Sequence, residues 1–302
     1  MSLNLAGLTA YVDQEKLPLI KKSILKGRTA ELITVQPGIK SAAAINILGS
    51  TINAMAGACG WNPSGSTALT QRNITVVDLQ IPEAICLTDL EAYYTQKMMN
   101  PGSYNETIPF EGIYAEEKAD QIQALVDDLA WKGNTSTGTG NLALVDGFIK
   151  LLTAANGCVE SAYSGSFAAG TIIDAVDDMV AKVPSDVIDL ADLKLLVGYE
   201  VYRLYAKALR DANLFHYTGA EGADFRMMIP GTNVEIVAVR GLNNTNKAYL
   251  TPASNLYMGT DLLNDAENFA IWYSQDNDEV RFKAKFKMGV QVAFPEFVVI
   301  HK

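Results

Sequence analysis

The chain has 302 residues, 49% of them hydrophobic and 19% charged, with 24 lysines and arginines against 34 aspartates and glutamates. Its formal net charge of −10 argues against a protein that coats nucleic acid by neutralising phosphates. The length suffices for two domains or one elaborate one, and the hydrophobic content excludes an intrinsically disordered chain.

Other classes of function are disfavoured by residues that the sequence uses sparingly. Cys59, Cys86 and Cys158 are too few and too scattered for a disulfide framework or a zinc site, and we expect small buried side chains in reducing surroundings. Only His216 and His301 could supply an imidazole base, which disfavours a hydrolase. No apolar run reaches the roughly 18 residues that span a membrane, and the N-terminus lacks the basic start of a signal peptide.

The first 30 residues are predicted to form an arm with one helix, which begins at Asp13 and runs to Lys26. Its apolar residues are spaced for one face, and the opposite face is basic. Two interpretations stay open, a solvated helix face or an arm that docks on an acidic neighbour. The cations of this arm are Lys16, Lys21, Lys22, Lys26 and Arg28.

Residues 31–82 indicate two extended limbs around a polar, glycine-rich tip. A short strand within 31–40 ends in a turn at Pro37-Gly38, and the β-prone run 74–81 ends at Pro82. A hairpin that leaves the body of a protein needs something to lie against, so we expect either a lid or an arm that reaches a neighbouring subunit. The centre of the tip is Gly60, Trp61, Asn62 and Pro63.

Two helices are predicted next, over 83–99 and over 113–132. The second has the clearer pattern, because Ile122, Leu125 and Leu129 recur at helical spacing. It ends before an exposed polar loop at 134–141. Its opposite face carries acidic residues, among them Glu116, Glu117 and Asp120.

The central part of the chain alternates short helices and strands. Helices are predicted over 171–182 and Glu200–Arg210, and a short apolar segment over 142–155. This irregular order favours an α+β fold over a barrel or a doubly wound sheet. Strands are predicted at 193–196, 225–229, 234–239, 248–251 and 256–258.

The C-terminal stretch predicts a strand hairpin. A strand over Phe269–Tyr273 leads through a turn at 276–278 into residues 280–288, where apolar and basic residues alternate. A period of two over nine residues indicates a strand with one apolar and one basic face. The basic stripe is Arg281, Lys283, Lys285 and Lys287, and one further strand is expected at 297–300.

The sequence contains no motif that predicts a catalytic site. A loose dinucleotide pattern at 138–143 lacks the preceding strand that the fingerprint requires, and 163–167 lacks the first glycine of a nucleophile elbow. The acidic pairs Asp127-Asp128 and Asp177-Asp178 lie on predicted helices, where adjacent side chains do not face each other, so we expect ordinary solvated charges. No catalytic residue, cofactor or metal site is predicted, and the chain is not expected to be an enzyme.

The order of these elements resembles the major capsid protein of tailed double-stranded-DNA bacteriophages, which has the Hong Kong 97 type of fold. A basic arm, a projecting loop, a long amphipathic helix, an α+β region and a final hairpin follow one another as in that family. Two stretches carry the resemblance most specifically. They are Asp127-Asp128-Leu129-Ala130-Trp131-Lys132-Gly133-Asn134 with Leu144-Val145-Asp146-Gly147-Phe148, and Ile271-Trp272-Tyr273-Ser274-Gln275 through Gly289-Val290-Gln291-Val292.

The resemblance implies a layout and a function. The N-terminal arm would be 1–35, the extended loop with its following helix 36–110, the peripheral domain with its spine helix 111–149, the axial domain 150–265 and the return strands 266–302. Copies would assemble through pentamers and hexamers into an icosahedral virion capsid, made in the bacterial host cytoplasm, that encloses DNA without sequence-specific binding. Portal and scaffold or decoration proteins would be further partners.

Contacts between copies are expected at the arm lysines, the loop tip, the acidic residues of the spine helix and the basic stripe. The stripe either faces packaged DNA or pairs with acids such as Glu116, Glu117 and Asp120 of its own or a neighbouring subunit, and we favour pairing. Some members of the family join a loop lysine to a neighbour's asparagine. No lysine occurs here between Lys40 and Lys97, so we expect no such cross-link.

Three alternatives stay open. An encapsulin-like compartment shell would hold a cargo enzyme instead of a genome. A small-molecule enzyme would use residues 57–72 as a lid, and a tail or tube protein would come from the same virion.

Overall fold

Three β-sheets and five helices organise the residues that the computed structural model describes, which are 28–54, 65–86, 110–212, 225–261, 269–274, 276–277 and 279–301. The predicted helices at 113–132, 171–182 and 200–210 are confirmed, whereas the arm helix Asp13–Lys26 lies outside the described residues. None of the helices in these ranges combines the length and apolar character that a membrane crossing requires. The helices are α1 (Arg28–Leu32), α2 (Phe110–Lys132), α3 (Phe148–Leu151), α4 (Ile172–Ala181) and α5 (Tyr199–Asp211).

The first sheet is built around its longest strand, β12. This strand (Glu279–Val292) pairs antiparallel with β11 over residues 279–284, with β4 over 279–288 and with β10 over 289–292, and β1 adds to β10 in parallel. The predicted C-terminal hairpin is thereby confirmed as β11 and β12. The strands of this sheet are β1 (Thr34–Gln36), β4 (Val77–Cys86), β10 (Leu256–Gly259), β11 (Phe269–Ser274) and β12 (Glu279–Val292).

Strand β4 corrects the prediction of a helix over 83–99. The chain is extended through Pro82 to Cys86, and Pro82 lies opposite Lys283 of β12. Within the described residues β4 pairs with no strand on its other side, and a proline that cannot donate a hydrogen bond is tolerated on such an edge. The rest of the predicted helix, 87–99, lies outside the described residues.

The second sheet is mixed and has six described strands in the order β5, β13, β9, β6, β8, β7. Helices α4 and α5 share its apolar core. Strand β10 lies within 150–265 but pairs in the first sheet, and β13 lies within 266–302 but pairs in the second, so the chain passes repeatedly between the two sheets. The strands are β5 (Val159–Glu160), β6 (Leu193–Val197), β7 (Arg226–Met228), β8 (Glu235–Ala238), β9 (Ala248–Pro252) and β13 (Val299–Ile300).

The C-terminal end of α2 joins the two sheets. Trp131 is fully buried, with its ring centroid 5.1 Å from that of Phe148 and 5.6 Å from that of Tyr249 on β9. Its indole Nε1 donates a hydrogen bond of 3.0 Å to Thr29 Oγ1 of α1. One core cluster contains these rings together with Phe282 of β12, so a single apolar core connects both sheets.

The backbone packs closely in the segment just after the C-terminal end of α2. Gly147 donates its N–H to Gly133 O at 2.8 Å, and a Cβ on either glycine would collide with neighbouring backbone. Asp146 Oδ1 accepts hydrogen bonds from the N–H and the hydroxyl of Thr135 and from Lys150 Nζ. The glycines and the aspartate of this passage therefore have a structural function.

The third sheet is a two-stranded antiparallel hairpin of β2 (Ala42–Thr51) and β3 (Ser66–Thr75). A hairpin of two extended limbs is confirmed, but its strands are not the predicted ones. The predicted strand within 31–40 overlaps β1, and the run 74–81 lies mostly in β4, both in the first sheet. The small and polar side chains of 42–51 show no clear period, so the sequence does not predict a strand there. Residues 55–64, which include the predicted tip residues Gly60, Trp61, Asn62 and Pro63, lie outside the described residues.

Candidate functional site

The β2–β3 hairpin projects from the first sheet, and no described residue covers the apolar side chains of its outer half. Leu48 and Leu69 lie directly opposite each other in the register, and each is 67% exposed, while Ile52 is 90% exposed. A two-stranded hairpin is marginally stable in water unless another surface covers it. The outer half of the hairpin is therefore a candidate contact surface.

The root of the hairpin, in contrast, is tightly fixed. Ile74 is fully buried, and it packs with Ile39 and Val76 in a small core of its own. Gly259 of β10 and Gly289 of β12 lie opposite each other beneath this root. A Cβ at Gly259 would approach Ile74 Cγ2 to 2.8 Å, and one at Gly289 would collide with the carbonyl oxygen of Thr75. Glycine at both positions thus allows the hairpin to rest on the first sheet.

Lys287 adds a polar attachment at the same root. Its Nζ donates a hydrogen bond of 2.8 Å to the carbonyl oxygen of Lys40, just before β2. The same Nζ lies 3.6 Å from Asp78 Oδ1 and 3.5 Å from Asp261 Oδ2. Lys287, one of the four cations in the basic stripe, therefore forms ion pairs with acids of its own chain.

The stripe lies on the face of the first sheet that is turned away from α2. The alternate residues of β12, such as Phe282 and Phe286, are buried in one core with Ile122 and Leu129 of α2. Lys118 of α2 also pairs with Glu83 of β4, on that same side. Helix α2, which carries the predicted partners of the stripe, therefore packs on the opposite face of the sheet from the stripe. Asp120 is exposed, whereas the side chains of Glu116 and Glu117 lie outside the described residues.

Two lysines of the stripe have no charged partner in the described part of the chain. Arg281 Nε lies 3.4 Å from Glu279 Oε2, but neither Lys283 nor Lys285 forms an ion pair with a described residue. Trp272 lies opposite Arg281 and is 38% exposed. We call Trp272, Arg281, Lys283 and Lys285 the basic sheet face. Its register neighbours are uncharged, namely Ala84, Pro82, Gln80 and Ala270.

Asp127 corrects the prediction of an ordinary solvated charge. Its side chain is buried, and loss of hydration raises the pKa of the carboxyl from 3.8 to about 6, an effect that hydrogen bonds from Thr29 partly offset. Its neighbour Asp128 instead pairs with Lys132 nearer the surface. The missed signal is the four-residue spacing from Asp127 to Trp131, which places both on the buried face of α2.

Other titratable groups of the described residues are built into the core. His301 is buried, its Nε2 lies 2.9 Å from Gly165 O, and burial lowers the pKa of the imidazole. Burial raises the pKa of the Cys158 thiol to about 11, so it stays protonated and packs as a small apolar group. No group of three His, Cys, Asp or Glu side chains within the described ranges is placed to hold a metal ion.

Comparison with solved structures identifies the fold. One similar structure is the satellite phage P4 procapsid including size determination (Sid) protein, at a TM-score of 0.64 and 12% identity, covering 96% of this chain and 90% of that one. The capsid of an empty GTA particle has a TM-score of 0.61 and 13% identity, covering 93% of this chain and 89% of that one. The chain therefore has the α+β fold of phage capsid proteins, as the order of its elements predicted.

The same fold extends beyond phages. A virus-like particle from Pyrococcus furiosus matches with a TM-score of 0.52 and 11% identity, covering 95% of this chain and 98% of that one. No protein-family model matches the chain, and a search of curated proteins finds no significant match.

Gly289→Ala is expected to displace the hairpin root. The added methyl group would collide with the backbone of Thr75, and overpacking of this kind costs about 1–3 kcal/mol of unfolding free energy. Chemical denaturation of the unassembled subunit measures the loss, and limited proteolysis within β2 and β3 should become faster.

Gly170→Ala is the matched control, because an added Cβ there meets no atom within 4 Å. It should leave both measurements near wild type. Equal effects of the two substitutions would show that Gly289 has no special packing function.

Proposed function

We propose that the chain is the major capsid protein of a tailed bacteriophage, which assembles through pentamers and hexamers into an icosahedral shell around double-stranded DNA. The observation that carries the proposal is the exposed hairpin on a capsid-protein fold, because no described residue of its own chain covers the apolar side chains of its outer half. The likeness to assembled capsids over more than nine-tenths of the chain supports it.

In this proposal the elements take the roles of the Hong Kong 97 layout. Residues 1–35 form the N-terminal arm, the β2–β3 hairpin is the extended loop, and α2 is the spine helix of the peripheral domain. The second sheet with α4 and α5 forms most of the axial domain. The protein would reside in the virion capsid after synthesis in the host cytoplasm, with portal and scaffold or decoration proteins as further partners.

The partner of the hairpin is a second copy of the chain. Contacts between different surfaces of identical subunits close into rings when the rotation between subunits closes, as pentamers and hexamers require. Each copy then buries a neighbour's exposed pair of Leu48 and Leu69. Burial of one such side chain contributes about 1.5–3 kcal/mol, and this gain recurs at every contact of the shell.

The double substitution Leu48→Ser/Leu69→Ser is expected to prevent shell formation while leaving the subunit folded. Both side chains are exposed in the isolated chain, so their loss removes contact area between copies and no core packing. Electron microscopy and light scattering would show closed particles for wild type and free subunits for the variant.

Leu144→Ser is the control, since Leu144 is also exposed, at 50%, but belongs to the segment after α2 and not to the hairpin. It should still form particles. Normal shells from the double variant would contradict the proposed function of the hairpin.

The basic sheet face has two candidate partners, acidic residues of a neighbouring copy or packaged DNA. We propose the neighbouring copy, because the chain carries a net charge of −10 and an acidic wall leaves DNA free to move. The spine-helix acids Glu116, Glu117 and Asp120 of another subunit are the proposed counter-charges. Lys283 and Lys285 supply the cations, since they have no acidic partner among the described residues of their own chain.

Lys283→Glu/Lys285→Glu is expected to reduce assembly strongly, because like charges would then meet across the contact. Particle yield tests contact with a neighbouring copy, and the nucleic-acid content of the particles tests contact with DNA. If empty shells form in normal yield but do not fill with DNA, the basic sheet face contacts DNA and not a neighbouring copy. Lys182→Glu/Lys207→Glu makes the same change in net charge at two exposed positions elsewhere and should leave assembly unchanged.

Assembled particles are expected to dissociate fully into single chains on a denaturing gel. No lysine lies between Lys40 and Lys97, so the hairpin offers no amine for an isopeptide bond to a neighbour's asparagine. A ladder of covalent oligomers that survives denaturant and reducing agent would contradict this expectation.

A second candidate is an encapsulin-like compartment, which the likeness to the Pyrococcus furiosus particle favours. Both functions require the same contacts between copies, so the content of the purified particle decides between them. Double-stranded DNA supports the capsid, and a co-purified cargo protein without nucleic acid supports the compartment.

A further inference from the structure

Helix α1 lies across the junction between the two sheets. Arg28 Nη1 donates a hydrogen bond of 3.0 Å to the hydroxyl of Tyr199, the first residue of α5. Thr29 is fully buried against the end of α2, and its hydroxyl accepts the indole hydrogen bond of Trp131. The five-residue helix α1 is thus hydrogen-bonded to one helix at each sheet, to α2 at the first sheet and to α5 at the second.

Asp127 is the third member of this buried polar group. Its carboxyl lies beside Thr29, whose hydroxyl and backbone N–H favour the ionised form and lower the carboxyl pKa less strongly than burial raises it. The hydroxyl of Thr29 accepts the indole hydrogen bond of Trp131 and so fixes α1 beside this carboxyl. Oδ1 of this carboxyl is buried and has no hydrogen-bond partner among the described residues, a costly arrangement for an ionised carboxylate.

The charged groups around this carboxyl do not neutralise it. On α2 itself, the adjacent Asp128 disfavours ionisation, and Arg240 from the short helix packed on α2 favours it weakly. Arg240 is more than half exposed and lies 3.9 Å from Asp128 rather than on Asp127. On α1, Arg28 is directed to Tyr199.

We propose that Asp127, Thr29 and Trp131 form a proton-controlled clasp, which holds α1 firmly against α2 when Asp127 is protonated and loosens when it ionises. A neutral carboxyl loses less hydration energy in this site than a carboxylate, so protonation favours the docked state. Undocking of α1 exposes Asp127 to water and allows it to ionise. The clasp depends only on contacts within one chain and does not rest on the proposed function.

The direction of the pH effect follows from linkage. The carboxyl pKa is about 6 when α1 is docked and returns toward 3.8 when the site is solvated. Docking is therefore most stable below pH 3.8 and loses that stability as the pH rises to about 6. If undocking fully solvates Asp127, the open state should be about tenfold more populated at about pH 7.5 than at about pH 5.

Hydrogen–deuterium exchange of the intact chain tests the clasp through a peptide that covers residues 28–36. Exchange rates at the two pH values are corrected for intrinsic chemistry, and light scattering confirms the same oligomeric form in both samples. Wild type should show the tenfold increase in opening toward neutral pH. Asp127→Asn, which keeps the acceptor oxygen but cannot ionise, should abolish the increase.

Asp128→Asn is the matched control and should keep the full increase, because that carboxyl lies nearer the surface. An unchanged increase in Asp127→Asn would overturn the proposal. If that variant does not fold, Thr29→Val decides. Loss of the hydroxyl hydrogen bond that favours the carboxylate should move the midpoint of the increase to higher pH, and an unmoved midpoint would overturn the clasp.

Discussion

The alternation of side chains along β12 is the constraint on which the rest of the described structure depends. One face buries Phe282, Phe286 and Met288 in the core that includes α2, at about 1.5–3 kcal/mol for each side chain. A slip of one residue would bury the cations instead, so the register with β4, β10 and β11 is strongly specified. The same register places Gly289 beneath the hairpin root and Lys287 beside its acidic partners.

The subunit therefore has a body whose apolar side chains are buried in its own core, and a segment, the outer half of the hairpin, whose apolar side chains are exposed. The hairpin root is buried around Ile74, whereas Leu48 and Leu69, on its outer half, remain in water. Such a segment has few buried contacts to hold it, so another surface must supply its ordering energy. In the proposed shell a second copy provides that surface, and the rigid root fixes the direction in which the hairpin reaches it.

Local patterns predicted the elements whose pattern is complete within a few residues, such as the period of α2 and the alternation of β12. They failed where a partner is distant in sequence. The sequence pattern ends the strand at Pro82, because the acceptance of this proline in β4 depends on pairing with Lys283 at an edge. The same kind of pattern predicts a solvated Asp127, because its burial depends on Thr29 and on the folding of α1 against α2. Which strands cross between the sheets likewise depends on the assembled core.

The net charge of −10 is a property of the whole chain and does not give the charge of the surface that makes a particular contact. Charges on opposite sides of a subunit are farther apart than the screening length, which is about 8 Å at physiological ionic strength, so each surface acts through its nearest charges. Lys118 and Lys287 are paired within the subunit, while Lys283 and Lys285 have no acid beside them in the register. With a net charge of −10, most close approaches between copies bring like charges together. A close approach that brings an acidic surface onto these two lysines gains attraction, so one charge distribution can disfavour random aggregation and still favour one specific contact.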